Sequence, residues 1–309
     1  MTKRVLVTGK NGQLGQSLQK LVSDSVSGQG VTAGMTFTFV GRDELDLSSS
    51  DSIADYFVDK PFDAIVNCAA YTAVDKAESE PDLAYQINNL AVKQLAEIAK
   101  QRKIPLIHIS TDYVFNGEGF KPYVETDATD PQNVYGLTKL KGEQAILATG
   151  CVGVIIRTSW VYSEFGNNFV KTMLSLGKER DSLNVIYDQV GSPTYVTDLA
   201  EAILEVLNAE FLMVNEEKTD SIQNSRLKIY HYSNEGVCSW FDFAKAVFES
   251  SGVNCQVNPI ETKDYPTPAK RPHYSLMNKA HIKQDQPGLV VPYWRDSLQV
   301  CLKELEIKQ

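Results

Sequence analysis

Tyr135 and Lys139, in the run Tyr135-Gly-Leu-Thr-Lys139, stand four residues apart. On a helix that spacing puts both side chains on one face. A phenol ionises only near pH ~10, so alone it is a poor acid or base at neutral pH. A lysine cation one turn away stabilises the phenolate, and the pair becomes a tunable proton donor. Upstream, Ser110-Thr111-Asp112-Tyr113 follows the apolar run Pro105–Ile109, and hydroxyls at a strand end can polarise a carbonyl. Near the start, Gly9-Lys10-Asn11-Gly12-Gln13-Leu14-Gly15 separates an aliphatic run, Arg4–Thr8, from an amphipathic one, Gln13–Val22. Glycines there allow a tight turn, close approach of a pyrophosphate, and a helix whose N-terminal amides face the anion. The spacing is G-x-x-G-x-x-G instead of the commoner G-x-G-x-x-G. At the end of the second apolar run, where an acidic residue usually clamps a ribose, the sequence reads Val40-Gly41-Arg42-Asp43. Arg42 can pair with a 2′-phosphate, which favours NADPH over NADH, and Asp46-Leu47 can edge the adenine.

Those residues need a scaffold that holds strand ends and helix starts together. Short apolar runs alternate with helical stretches: strands at Arg4–Thr8, Thr36–Val40, Ala64–Asn67, Pro105–Ile109 and Val152–Arg157, and helices at Gln13–Val22, Ser50–Phe57, Leu83–Lys103 and Val134–Thr149. This alternation predicts an α/β fold, a doubly wound parallel sheet with right-handed crossovers. Asn184–Tyr187 and Lys228–Tyr232 are expected to return to it, giving about seven strands. After Trp160 longer connections and prolines separate helices at Asn168–Lys178, Thr197–Asn208, Trp240–Ser251 and Trp294–Leu305, which reads as a second, smaller α/β lobe. The expected division is residues 1–160 for dinucleotide binding, the sheet being completed by about 184–235, with 161–183 and 236–309 as a discontinuous substrate-binding lobe. Ala209–Arg226 is polar and patternless, and reads as a surface insertion or loop.

Composition narrows the function. Of 309 residues, 43% are hydrophobic and 22% charged, which is ordinary for a globular protein. The net charge is −9 and no basic stripe occurs, which argues against nucleic acid as a partner. Five scattered cysteines, with no Cys-x-x-Cys pair, fit a reducing compartment and no zinc site. No apolar segment approaches membrane-spanning length, so the expectation is a cytoplasmic enzyme. Cys68 reads as an inert thiol, and His108, inside an apolar strand, as a hydrogen-bonded core residue instead of a catalyst.

Strand-end Ser110-Thr111 followed by Tyr135 and Lys139 is the order found in extended short-chain dehydrogenases/reductases. Within them the chain resembles the dTDP-4-dehydrorhamnose reductase family, through VNCAAYTAVDKAESEP (66–81), ISTDYVFNGEG (109–119), YVETDATDPQNVYGLTKLKGE (123–143), RTSWVYSEFGNNFVKTML (157–174), DQVGSPTYVTDLA (188–200) and YPTPAKRPHYS (265–275). The resemblance implies reduction of the C4 keto group of dTDP-4-dehydro-L-rhamnose by NADPH, with NADH as the other candidate. It makes Thr111 the catalytic hydroxyl, Tyr135 the general acid, and Lys139 the residue that binds nicotinamide ribose and depresses the tyrosine pKa. Ala69, Ala70 and Tyr71 would line the cofactor, Tyr113 and Trp160 would flank the sugar, and Asn167, Asn168 and Arg271 would hold the diphosphate. Some members place Mg²⁺ at a dimer contact through a glutamate soon after the third glycine. Gln16-Ser17 stands there in this chain, which counts against a protein-held metal and leaves a homodimer open. The rival readings are a nucleotide-sugar epimerase or dehydratase with bound NAD, and a silent nucleotide-binding regulatory subunit.

Overall fold

The computed structural model describes residues 2–24, 30, 32–216 and 227–307. Six strands form one parallel sheet: β1 (Lys3–Thr8), β2 (Met35–Val40), β3 (Ala64–Asn67), β4 (Leu106–Thr111), β5 (Gly153–Thr158) and β6 (Leu227–Tyr232), in the spatial order β2-β1-β3-β4-β5-β6. The chain first steps from β1 outward to β2, then returns and winds the other way from β3. The crevice at the carboxyl ends of β1 and β3 is therefore the switch point where such sheets bind ligands.

Alternation along the strands explains why helices cover both faces. Val5, Val7, Val66, Ile107, Val154 and Ile156 bury into one core with the helix Val196–Glu216. Leu6, Ile65, Leu106 and Ile155 bury into the opposite core with Ala91–Arg102 and Ser50–Phe57. A strand buried on both faces reads as a continuous apolar run, as Val5–Val7 and Ala64–Val66 do, whereas the edge strand β2, MTFTFV, alternates and is only partly buried. A third core, around Tyr162, Met173, Val185, Tyr195, Phe243 and Trp294, gathers the helices Phe169–Glu179, Trp240–Ser251 and Trp294–Ile307.

Two expectations are corrected. The stretch expected at Asn184–Tyr187 is a strand, Ser182–Ile186, but it pairs with Gln256–Ile260 in a separate two-stranded sheet, so among the described residues the central sheet has six strands and not seven. The helix begun at Val196 runs on to Glu216, through the first part of the stretch read as loop. Its Phe211 packs into the first core, which outweighs the polar character of the segment; residues 217–226 lie outside the described residues.

Candidate active site

Gly9, directly after β1, has φ +75°, and a Cβ there would lie 2.9 Å from the Ala69 backbone nitrogen. Gly15, inside the helix Gln13–Asp24, would place its Cβ 2.2 Å from the Gly9 carbonyl oxygen. The turn is thus packed backbone against backbone, with the helix N-terminus opening onto the crevice. Its shape and dipole suit the pyrophosphate of a dinucleotide.

From this turn a cleft of about 750 Å³ extends along the strand ends. Gly9, Asn11, Gly12, Gln13 and Leu14 line it together with Arg42, Asp46, Leu47, Ala69, Ala70, Thr111, Tyr113, Tyr135, Lys139, Trp160 and Asn167. Among the residues singled out from sequence, Gly15, Tyr71, Asn168 and Arg271 do not line it. Gly15 supports the turn from beneath. Tyr71 turns its hydroxyl to Glu80, at 2.7 Å. Asn168 caps the helix Phe169–Glu179, and its amide nitrogen donates to Gln13 Oε1 at 3.0 Å. Arg271 donates to Asp75 at 2.5 Å and to the Tyr113 hydroxyl at 3.1 Å, so it reaches the cleft wall through Tyr113. Arg42 is mostly exposed, with Asp46 at 3.5 Å as an ion-pair partner.

Tyr135 sits in the first turn of the helix Val134–Thr149, which Asn133 caps by accepting from the Gly136 N–H. A Cβ on Gly136 would lie 2.2 Å from the Tyr113 carbonyl oxygen, so the glycine lets this helix seat against the turn that follows β4. The rings of Tyr113 and Tyr135 meet edge to face at 5.5 Å. Trp160 has φ +48°, a conformation rare for a large side chain, and stacks on Trp240 with ring centres 3.6 Å apart. Backbone strain of this kind collects at ligand sites.

The electrostatics differ in one respect from the sequence expectation. Burial pushes the Tyr135 phenol above its usual range; a hydrogen bond with Thr111 works against that, and Lys139 is not among the causes. Lys139 instead turns into the protein, donating to the Ile109 carbonyl at 2.6 Å with His108 Nε2 at 3.2 Å. Tyr135 therefore holds its proton at neutral pH. Sequence reasoning also missed Asp112. It is buried, accepts from the Thr111 hydroxyl at 2.8 Å, and is pushed up to about 7 by burial. Its neighbour in the sequence, Thr111, was the only signal. Burial raises the Cys68 thiol to about 12, as fits an inert cysteine. Among the described residues no cluster of His, Cys, Asp or Glu could hold a metal, and the Gln16 amide donates to the Asn11 carbonyl at 2.9 Å. The residues present do not fit a Mg²⁺ at that position.

Fold and cleft together define a Rossmann-type oxidoreductase with a nicotinamide dinucleotide as its partner. The match to known families is more specific: the chain belongs to the family described as RmlD substrate binding domain, which it matches over residues 3–307. It is 42% identical over 290 residues to a dTDP-4-dehydrorhamnose reductase of Aggregatibacter actinomycetemcomitans, covering 91% of this chain and 92% of that one. Among solved structures it resembles a dTDP-4-dehydrorhamnose reductase of Clostridium acetobutylicum (TM-score 0.86, 37% identity, 98% of this chain and 99% of that one). A Bacillus anthracis dTDP-4-dehydrorhamnose reductase, solved in complex with NADP, matches with TM-score 0.85 and 36% identity over 98% of this chain and 99% of that one. Among the described residues no helix is long and apolar enough to cross a membrane.

Proposed function

We propose that this protein is an NADPH-dependent reductase that converts dTDP-4-dehydro-L-rhamnose into dTDP-L-rhamnose. The observation that carries the reading is the placement of Thr111, Tyr135 and Lys139 in the same cleft as the Gly9–Gly15 turn. The likeness to dTDP-4-dehydrorhamnose reductases along nearly the whole chain supports the choice of substrate.

The turn, with Asn11, Gly12, Gln13 and Leu14, would hold the pyrophosphate, Arg42 the 2′-phosphate, Asp46 and Leu47 the adenine side, and Ala69 and Ala70 the middle of the dinucleotide. When bound, NADPH supplies the hydride. Thr111 polarises the C4 carbonyl. Tyr135, protonated at neutral pH, gives its proton to the C4 oxygen as negative charge develops there. Lys139 binds the nicotinamide ribose. Tyr113 and Trp160 flank the sugar, and Asn167 with Arg271 holds the diphosphate, Arg271 by way of a side chain already fixed by Asp75. Tyr71 and Asn168 act from behind, as supports of the walls.

The test is to mix the purified protein with NADPH and dTDP-4-dehydro-L-rhamnose and follow both. Equimolar loss of NADPH and formation of the 4-hydroxy sugar is the expected result. A protein that leaves NADPH untouched and carries tightly held NAD⁺ would be an epimerase or dehydratase instead.

A further inference from the structure

At the cleft floor, a row of buried polar side chains that begins at Thr8 and ends at Lys139 crosses the sheet at one level. Thr8, Asn67 and His108 occupy matching positions on β1, β3 and β4. Each is at most 1% exposed, as is Lys139 at the end of the row. Four buried polar groups at the heart of an apolar sheet are costly unless every donor finds an acceptor.

The bonds have a direction. The Ala69 backbone N–H, which can only donate, points at Thr8 Oγ1 at 3.2 Å. The Thr8 hydroxyl donates to Asn67 Oδ1 at 2.6 Å. That fixes the amide, so Asn67 Nδ2 donates to His108 Nδ1 at 3.0 Å. A neutral imidazole with Nδ1 accepting carries its proton on Nε2. The Nε2 proton then faces Lys139 Nζ, 3.2 Å away, while Nζ itself donates to the Ile109 carbonyl. An ammonium group has three donors and no acceptor, so only the neutral amine completes the row in this direction. If Lys139 is charged, the side-chain bonds turn round with a flip of the Asn67 amide: Nζ donates to Nε2, Nδ1–H donates to Asn67 Oδ1, and the amide nitrogen donates to Thr8 Oγ1, which accepts from the Ala69 N–H in both states.

We propose that Thr8, Asn67 and His108 are positioning residues for Lys139, forming a reversible hydrogen-bond row whose direction is tied to whether Lys139 carries its proton. The row lets a fully buried lysine exist in either state with both His108 nitrogens and the facing Asn67 group partnered, and His108 changes tautomer without becoming charged. Burial brings Lys139 down to about 8 and keeps His108 well below its ordinary value, so the two do not compete for one proton. On its own helix Lys139 has Tyr135 one turn before it and Glu143 one turn after it. Glu143 favours the lysine cation, and Arg157 from β5 holds Glu143 at 2.7 Å.

The inference rests on the proposed role of Lys139 only for its consequence in catalysis, since the tautomer is a property of the ligand-free protein. The test is ¹⁵N nuclear magnetic resonance of histidine-labelled protein at about pH 6 and about pH 9.5, on either side of the lysine transition. His108→Gln identifies the His108 signals among the four histidines. His108 should remain neutral, with its proton on Nδ1 at the lower pH and on Nε2 at the higher. One tautomer at both values, or an imidazolium, would overturn the proposal. Asn67→Asp, whose carboxylate can only accept, should lock the proton on Nδ1 throughout and move the alkaline loss of kcat/KM for NADPH upward by about one pH unit or more. A variant whose His108 still switches and whose alkaline limb stays in place would equally contradict it. A tautomer switch in a protein that does not oxidise NADPH would leave the row standing and remove the reductase reading alone.

Discussion

Arg42 and Asp112 carry the predictions that single residues allow. Among the described residues Arg42 is held by Asp46, at 3.5 Å, and its side chain is 76% exposed. Screening by water limits such a contact to roughly 1 kcal/mol, so Arg42→Ala should raise the KM for NADPH about five- to tenfold and leave that for NADH nearly unchanged. Equal losses for both cofactors would remove the 2′-phosphate contact. For Asp112, burial lifts the carboxyl to about 7. Between about pH 4 and pH 7 the folded protein thus keeps a proton that the unfolded chain has released, and stability falls as pH rises through that window. Asp112→Asn cannot ionise. Its melting temperature relative to the parent should therefore be higher at pH 8 than at pH 5, by roughly 4–8 °C; a difference independent of pH would show that Asp112 is not held neutral by the fold. At this scale the sequence was informative wherever chemistry is local. Tyr135 and Lys139 are one helical turn apart, and the turn Gly9–Gly15 is continuous, so both could be read directly. The row from Thr8 to Lys139 could not, because it exists only once strand register sets residues 8, 67 and 108 side by side. The direction of the Tyr135 shift was missed for a related reason: spacing brings Lys139 to the right face, but burial and the Ile109 carbonyl decide where its ammonium nitrogen goes.

Among the elements, the helical stretch before β4 shows how a local irregularity supports the site. Pro81–Tyr85 passes through a π-helical turn, Gln86–Leu90, into Ala91–Arg102. Such turns add a residue to the helix and push a side chain out of its regular row. Within this turn Asn88 accepts from the Tyr71 N–H at 2.9 Å and donates to the Tyr71 carbonyl and to Thr138 Oγ1, both at 3.1 Å. One amide thereby ties the segment after β3 to the helix that carries Tyr135. Asn88→Ala leaves the Tyr71 backbone groups without a partner, and should cost about 1–3 kcal/mol of stability and weaken NADPH binding through the loosened Ala69–Tyr71 segment. Unchanged melting and unchanged NADPH affinity would contradict that role. Helical periodicity predicted one continuous helix at Leu83–Lys103, since a single inserted residue barely disturbs the apolar pattern. The strand Ser182–Ile186 was likewise legible as a strand, but a short apolar run does not say which sheet it joins.

Across the whole molecule, the cleft is walled by segments distant in sequence. Gln13 accepts from Ser163 Oγ at 2.9 Å and from Asn168 at 3.0 Å, so the dinucleotide turn is tied to the start of the helix Phe169–Glu179. Arg271 reaches across to Asp75, and the Asn133 amide donates to the Lys270 carbonyl at 2.8 Å. A protein of net charge −9 that takes two anionic ligands needs fixed cations to offset its own field. Arg271→Ala should weaken dTDP binding by about 1.5–3 kcal/mol, the range for a charged hydrogen bond, and leave NADPH affinity nearly unchanged. Calorimetric titration of each ligand checks this, and a variant that loses NADPH instead would place Arg271 with the cofactor.

The central claim is that Tyr135 supplies the proton, and the most direct measurement is a comparison of Tyr135→Phe with the parent for both turnover and NADPH binding. Removing one hydroxyl leaves the ring packed against Tyr113, so the fold and the dinucleotide site should survive. The variant should bind NADPH as the parent does while kcat for dTDP-4-dehydro-L-rhamnose falls by about 10²-fold or more. A Phe variant that turns over within about threefold of the parent would mean that the proton comes from another group.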